Sequence, residues 1–183
     1  MTEEGLNGLS LAEVARRLGV QPPSLYKYFP SLTAVYDALF ERGMVALVTV
    51  MREAAADSAP GLPALGAALE AAGRFTLDRP ALGQLLFWRP IPMFNASEEA
   101  MVASRDMLEL QRGMLRDAVA AQQLGAAADS EDTLWILGSL ITGVTTMAMA
   151  NEPGARWGKD RFTPWFPRLL ETLPVLFPPT FAQ

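Results

Sequence analysis

Helix formers with an apolar repeat near 3.6 residues recur from one end of this sequence to the other, while the period-two alternation of a half-buried strand is weak throughout. A chain patterned this way buries its apolar stripes by packing helix on helix, so the fold class is all-α. Punctuation residues divide the pattern into about eight helices. Ser10 caps the first and, with Glu13 three residues on, spells a capping box. Leu11, Val14, Ala15 and Leu18 form its apolar stripe, and Gly19 stops it. The second starts at Gln21 or Pro22, where proline is tolerated because first-turn N–H groups lack intrahelical partners. It buries Leu25 and Phe29 and ends at Pro30. Ser31 caps a long third helix reaching about Ala55. Further helices are predicted over residues 65–77, 81–88, 98–123, 130–151 and 164–177, the last containing prolines at 164, 167 and 174.

Half of the 183 residues are hydrophobic, enough for a sizeable core and an additional buried interface. Cysteine and histidine are both absent. The first absence excludes disulfides, thiolate metal sites and a cysteine nucleophile; the second removes the commonest general base and transition-metal ligand. Neither a Ser-His-Asp triad nor an ordinary zinc site can be built, so the expectation is a protein that is not an enzyme and carries no cofactor or metal. The net charge of −5 argues against a surface that coats nucleic acid or anionic membrane all over, yet it allows a small DNA-reading face on an acidic body. Residues 1–8 lack the basic and apolar regions of a signal peptide. The most apolar run, residues 134–150, carries Ser139, Thr142, Thr145 and Thr146 and falls short of the ~20 residues that span a bilayer. A cytoplasmic protein with no membrane partner is expected.

The stretch "GVQPPSLYKYF", residues 19–29, carries the most chemistry. Two short helices joined by a glycine-containing turn, the second with exposed polar and aromatic residues, are the sequence form of a helix-turn-helix. The second helix of such a unit enters a major groove about 12 Å wide while the first braces it. Paired prolines fix its start, Ser24, Tyr26 and Tyr28 offer hydroxyls to phosphates, and Lys27 offers a charge.

"LSLAEVARRLGVQPPSLYKYFPSLTAVYDAL" resembles the DNA-binding module of the TetR family of bacterial transcriptional regulators. The matching elements are the alanine-containing first helix, "LGV", the "SLY-x-YF" core, "PS" and the long helix that follows. The resemblance implies that Gln21, Pro22, Pro23, Ser24, Lys27 and Tyr28 face the groove and that Tyr26 contacts a phosphate. It also implies that Ser10 and Leu11 set a helix N-terminus against a phosphate. Two departures stand out. Leu32 occupies a position where the family usually has lysine. The family also places a helix of about 20 residues before this segment, whereas Ser10 is here the tenth residue, so that first helix is expected to be missing or truncated. Over residues 1–43, Arg16, Arg17, Lys27 and Arg42 face Glu3, Glu4, Glu13, Asp37 and Glu41, a net charge of −1 where phosphate neutralisation supplies most non-specific affinity.

The resemblance divides the chain into a helix-turn-helix module over residues 1–45 and a ligand-binding and dimerisation domain over residues 46–183. It implies a regulator, a repressor by expectation, released from a pseudo-palindromic double-stranded DNA operator by a small hydrophobic effector. The alternative is a ligand- or partner-binding helical dimer that has lost effective DNA binding. Phe87, Trp88, Met93, Phe94, Met107 and Met114 are the candidates to line an apolar pocket, for which methionine's adaptable shape is suited, or else to pack an ordinary core. Arg89, Arg105 and Arg112 could orient an anionic ligand or simply solvate a face. Trp135, Gly138 and Thr142, with Trp165, Leu169 and Leu173, are expected at a homodimer interface, since the run around them is apolar nearly all round.

Overall fold

The computed structural model describes residues 10–88, 91–92 and 94–179. Among these residues the chain forms nine α-helices and no strand. Helix α1 (Leu11–Leu18) begins as the sequence requires: the Ser10 hydroxyl accepts the Glu13 N–H at 3.1 Å, and Gly19 ends the helix with φ at 68°, a left-handed conformation that costs glycine nothing. The capping box is only half made, because the Glu13 carboxylate turns forward to Arg16 and Arg17 rather than back to the cap. Leu11 and Ala15 are buried, but Leu18, expected on the same stripe, is 63 % exposed, since α1 packs chiefly on its neighbour α2.

Helix α2 (Pro22–Tyr26) is shorter than its sequence pattern. Phe29 N–H still bonds the Leu25 carbonyl at 2.9 Å, but Pro30 disfavours helical backbone at the residue before it, so the last turn loosens. Leu25 and Phe29 end up half-buried. The Ser31 hydroxyl then caps α3 (Leu32–Ala56) by accepting Ala34 N–H at 3.1 Å. This helix crosses residue 45 without a break, so the segment that follows α2 and the segment that enters the larger bundle are one continuous helix.

The core forms where α3 packs on α4 (Leu62–Asp78), α5 (Pro80–Phe87) and α6 (Val102–Ala120), with α7 (Glu131–Asn151) laid against α4 and α6. Leu47, Met51, Leu65, Leu69, Leu115 and Leu137 are wholly buried there. Gly73 on α4 is required by a close approach: the Trp157 ring lies where a Cβ would stand, and that ring meets Phe166 edge to face at 5.4 Å. Helix α6 starts four residues later than its sequence pattern. The Ser97 hydroxyl takes the Ala100 N–H, and a turn replaces the first predicted coil. The expected last helix splits into a 3-10 turn (Thr163–Trp165), α8 (Phe166–Leu170) and α9 (Leu173–Leu176), each with a proline in its first turn, where the missing N–H does no harm. Helix α7 has 21 residues, more than the run picked out in the sequence, and is long and apolar enough to cross a membrane by length and composition alone. It packs in the bundle against α4, α6 and α8.

Candidate nucleic-acid interface and ligand cavity

The N-terminal face is built from α1, the turn through Gly19 and α2. Pro23, Ser24, Tyr26, Lys27 and Tyr28 are exposed on one short segment, Tyr28 at 76 %. Gln21 caps α2 with extended backbone and is exposed, while Pro22 is half-buried. Ser10 is exposed, but the Leu11 side chain is buried, leaving only its backbone for contact. Glu13 sets the electrostatics. Its Oε2 accepts Arg16 Nε at 2.7 Å, and its Oε1 accepts Arg17 Nε at 2.7 Å and Arg16 Nη2 at 2.5 Å. The hydrogen bonds from Arg16, then those from Arg17, hold its pKa down at about 2. Two of the four cations of the module are therefore partly neutralised by their own helix.

One link ties this face to the bundle. Asp37, in the second turn of α3, accepts Ser97 N–H at 2.7 Å and the Ser97 hydroxyl at 2.6 Å across 60 residues of sequence. Beside it the Tyr36 ring meets Phe94 edge to face at 5.9 Å. Charge-assisted bonds of this kind are stronger than neutral ones, so the head of α3 is pinned to the segment that leads into α6.

Inside the bundle lies an apolar cavity of about 160 Å³. Met51 of α3, Leu69, Ala72 and Thr76 of α4, Phe87 of α5, Met107 and Gln111 of α6, and Leu134, Gly138, Ile141, Thr142 and Thr145 of α7 line it. Leu108 and Trp135, both exposed, also border it, Trp135 at 71 %. A second cleft of about 330 Å³, which shares Phe87 with the cavity, lies near Phe40, Leu86, Phe94 and Met101.

Residues 1–39 match the family described as "Bacterial regulatory proteins, tetR family". The fold agrees with that match: the chain superposes on the TetR family transcriptional regulator PfmR from Thermus thermophilus with a TM-score of 0.66, covering 94 % of this chain and 91 % of that one at 18 % identity. The likeness to the TetR family is thus carried by residues 1–39, and the rest of the chain shares the fold. A protein of unknown function from Rhodococcus sp. RHA1 has the same fold, with a TM-score of 0.79, 22 % identity and coverage of 96 % and 88 %. In sequence, the HTH-type transcriptional regulator YobS of Bacillus subtilis is 39 % identical over 51 residues, 28 % of this chain and 27 % of that protein. The nucleoid occlusion factor SlmA of Haemophilus influenzae is 27 % identical over 111 residues, 60 % of this chain and 51 % of that one. The chain thus spans about half or less of the length of these curated relatives.

The residues picked out from the sequence scatter differently from their grouping there. Phe87 and Met107 meet at the cavity, and so do Trp135, Gly138 and Thr142, which were assigned to an interface. Trp88 stands apart, its indole N–H donating to the Thr146 hydroxyl at 3.0 Å. Phe94 joins Phe87 in lining the second cleft, Met114 is buried outside the cavity wall, and Met93 and Arg89 lie outside the described residues. Arg105 pairs with Glu98 at 3.2 Å and Arg112 with Glu109 at 2.8 Å, away from the cavity wall. Of the other interface candidates Trp165 is exposed, Leu169 is half-buried and Leu173 is 0 % exposed, so the Leu173 side chain packs the protomer interior. The question of a preceding first helix concerns residues 1–9 and lies outside the described residues. Sequence reasoning missed Met51, Leu69, Thr76, Gln111 and Thr145; only Gln111, a polar residue in the apolar row Met107, Gln111, Met114, carried a signal.

Proposed function

We propose that this protein is a ligand-responsive transcriptional regulator: a cytoplasmic homodimer that represses from a pseudo-palindromic DNA operator and leaves it when a small hydrophobic effector fills the bundle cavity. The observation that carries the reading is α3. Its first residue follows the exposed Tyr26–Lys27–Tyr28 segment by a short turn, and its Met51 forms part of the cavity wall. An occupant that favours one position of Met51 biases the tilt of α3, and with it the separation of the two reading segments in a dimer. Such coupling requires only that the effector bind one position better than the other. Nothing in the reading calls for a catalytic step.

The homodimer is supported by an unpartnered row on α7. Trp135, Ser139, Gly143 and Met147 are exposed at four-residue spacing, one face of a helix. No atom lies within 4 Å of the Cβ positions of Gly138 and Gly143, so a helix of a second copy can approach closely. Two-fold pairing through this face makes the operator two half-sites.

One observation favours a second reading, a ligand-binding helical dimer without effective DNA binding. Glu13 holds Arg16 and Arg17, and Leu32 stands where the family has lysine. Selection from a random duplex pool separates the two. Enrichment of an inverted repeat supports the regulator; a folded dimer that enriches nothing at low salt supports the second reading.

A further inference from the structure

We infer that the bundle cavity selects an uncharged molecule of about one aromatic ring that carries a single amide-like hydrogen-bonding group, and that Gln111 is the residue that reads that group. The inference rests on the reading of this cavity as the effector site.

Size comes first. The cavity of about 160 Å³ is close to the roughly 150 Å³ apolar cavity that binds benzene in an engineered protein. Charge comes second. Among the described lining residues none is ionisable, and Arg105 and Arg112, which do not line the cavity, pair with Glu98 and Glu109. A carboxylate or an ammonium entering here loses its hydration with no counter-charge in the wall. The third observation concerns hydrogen bonds. The Thr76 hydroxyl donates to the Ala72 carbonyl at 2.8 Å and the Thr145 hydroxyl to the Ile141 carbonyl at 2.8 Å, so both protons are spent on their own helix. Thr142, half-buried, and Trp135, exposed, also border the cavity, but Gln111 is only 6 % exposed as a residue. No fully buried side-chain oxygen or nitrogen among the described residues lacks a partner, and no hydrogen bond ties the Gln111 amide to another described residue, so that amide stays accessible at the cavity and offers both an acceptor oxygen and two N–H donors. A neutral primary amide satisfies both at once.

Helix periodicity makes the choice of residue pointed. Ala103, Met107, Gln111, Met114 and Ala118 fall on one row of α6, and Gln111 alone in that row is polar. A leucine there would pack as its neighbours do. The glutamine therefore adds recognition where packing alone needs none.

Benzamide, benzoate and toluene share one ring and differ in the group at issue, so they are the probes. Dissociation constants are measured by ligand-detected NMR on the full chain and on Gln111→Leu and Gln111→Glu, with circular dichroism confirming that each variant is folded. Benzamide is expected to bind at least tenfold more tightly than benzoate and more tightly than toluene. Gln111→Leu should cut the benzamide-to-toluene preference at least tenfold while toluene binding is kept. Gln111→Glu should weaken benzamide and admit benzylamine. Benzoate binding as tightly as benzamide, an unchanged preference in Gln111→Leu, or no binding of any of the probes overturns the inference. DNA affinity with and without benzamide is read separately. The expected ranking with DNA affinity unmoved upholds the cavity chemistry and overturns effector release; DNA release by charged ligands at this cavity does the reverse.

Discussion

Replacing Glu13 by glutamine should turn the module into a better DNA binder, and the size of the gain follows from its geometry. The carboxylate accepts from Arg16 and Arg17 through both oxygens at 2.5–2.7 Å, and its pKa of about 2 keeps it ionised at every pH at which the protein is handled. Lowering pH to 5 therefore does not mimic the substitution; only the side-chain change removes the charge. The pairs are exposed and add little to folding stability. Their effect on phosphate binding is larger. Each phosphate neutralised adds about 0.9 to the slope of log affinity against log salt, so over a fourfold change in salt one added contact is about 3.5-fold and two are about 12-fold. Glu13→Gln should bind duplex DNA more tightly than wild type at 50 mM salt. Its advantage should shrink by a factor between about 3.5 and about 12 at 200 mM. Fluorescence anisotropy with a labelled duplex across a salt series measures this, and Glu171→Gln, the same charge change at the far end of the bundle, is the control. Parallel salt dependences for Glu13→Gln and wild type would show that the first helix does not lie against the phosphates.

Three further outcomes are expected. Gly73→Ala puts a methyl group into the Trp157 ring and should lower stability by about 1–3 kcal/mol, a fall in Tm of roughly 2–12 °C by thermal circular dichroism; an unchanged Tm contradicts the packing described. Asp37→Ala removes both bonds to Ser97 and should leave DNA affinity within a few-fold of wild type while reducing its response to effector, whereas a full response shows that the link carries no coupling. Burial raises the Asp160 pKa, but hydrogen bonds from the Thr163 hydroxyl and N–H and from Phe162 N–H outweigh it and hold the group below its ordinary value. A depressed carboxylate stabilises the fold above its unfolded pKa of about 3.9 and loses that contribution as pH falls, so Tm should drop below about pH 4 and Asp160→Asn should flatten that limb; an equally steep acid limb in the variant assigns it elsewhere.

What the sequence made legible was local. Ser10 and Ser31 cap helices through the N–H three residues on, a pattern complete within four residues, and both form. The all-α fold, and the likeness of residues 1–39 to the TetR family, followed from the same kind of short-range signal. Where two local signals compete, the pattern does not choose: Glu13 fits a capping box and also fits two arginines on the next turn, and the arginines win. Long-range partners were invisible. The late start of α6 follows from Ser97 being held by Asp37, 60 residues away. Leu173 looked outward because residues 164–177 read as one continuous helix; broken at its prolines, the segment turns that side chain inward. Met51, Leu69 and Ala72 look in sequence like any core positions, and only the bundle's geometry leaves a cavity beside them. Gln111 was the exception, a polar residue on an apolar row that could have been questioned from the sequence alone.

The unbroken course of α3 makes it a lever arm. Leu32 and Met51 are 19 residues apart on one helix, about 28 Å at 1.5 Å per residue. A tilt of about 5° pivoted at Met51 carries the head of the helix through about 2.4 Å, and two copies related by a two-fold axis diverge by about 5 Å. Hydrogen bonds to bases tolerate errors of only a few tenths of an ångström, and half-sites are held at a fixed spacing of about 34 Å. In the proposed regulator, a movement too small to disturb the bundle's packing would therefore be large at the groove. A jointed connection would dissipate it within a turn or two; a stiff rod delivers it whole.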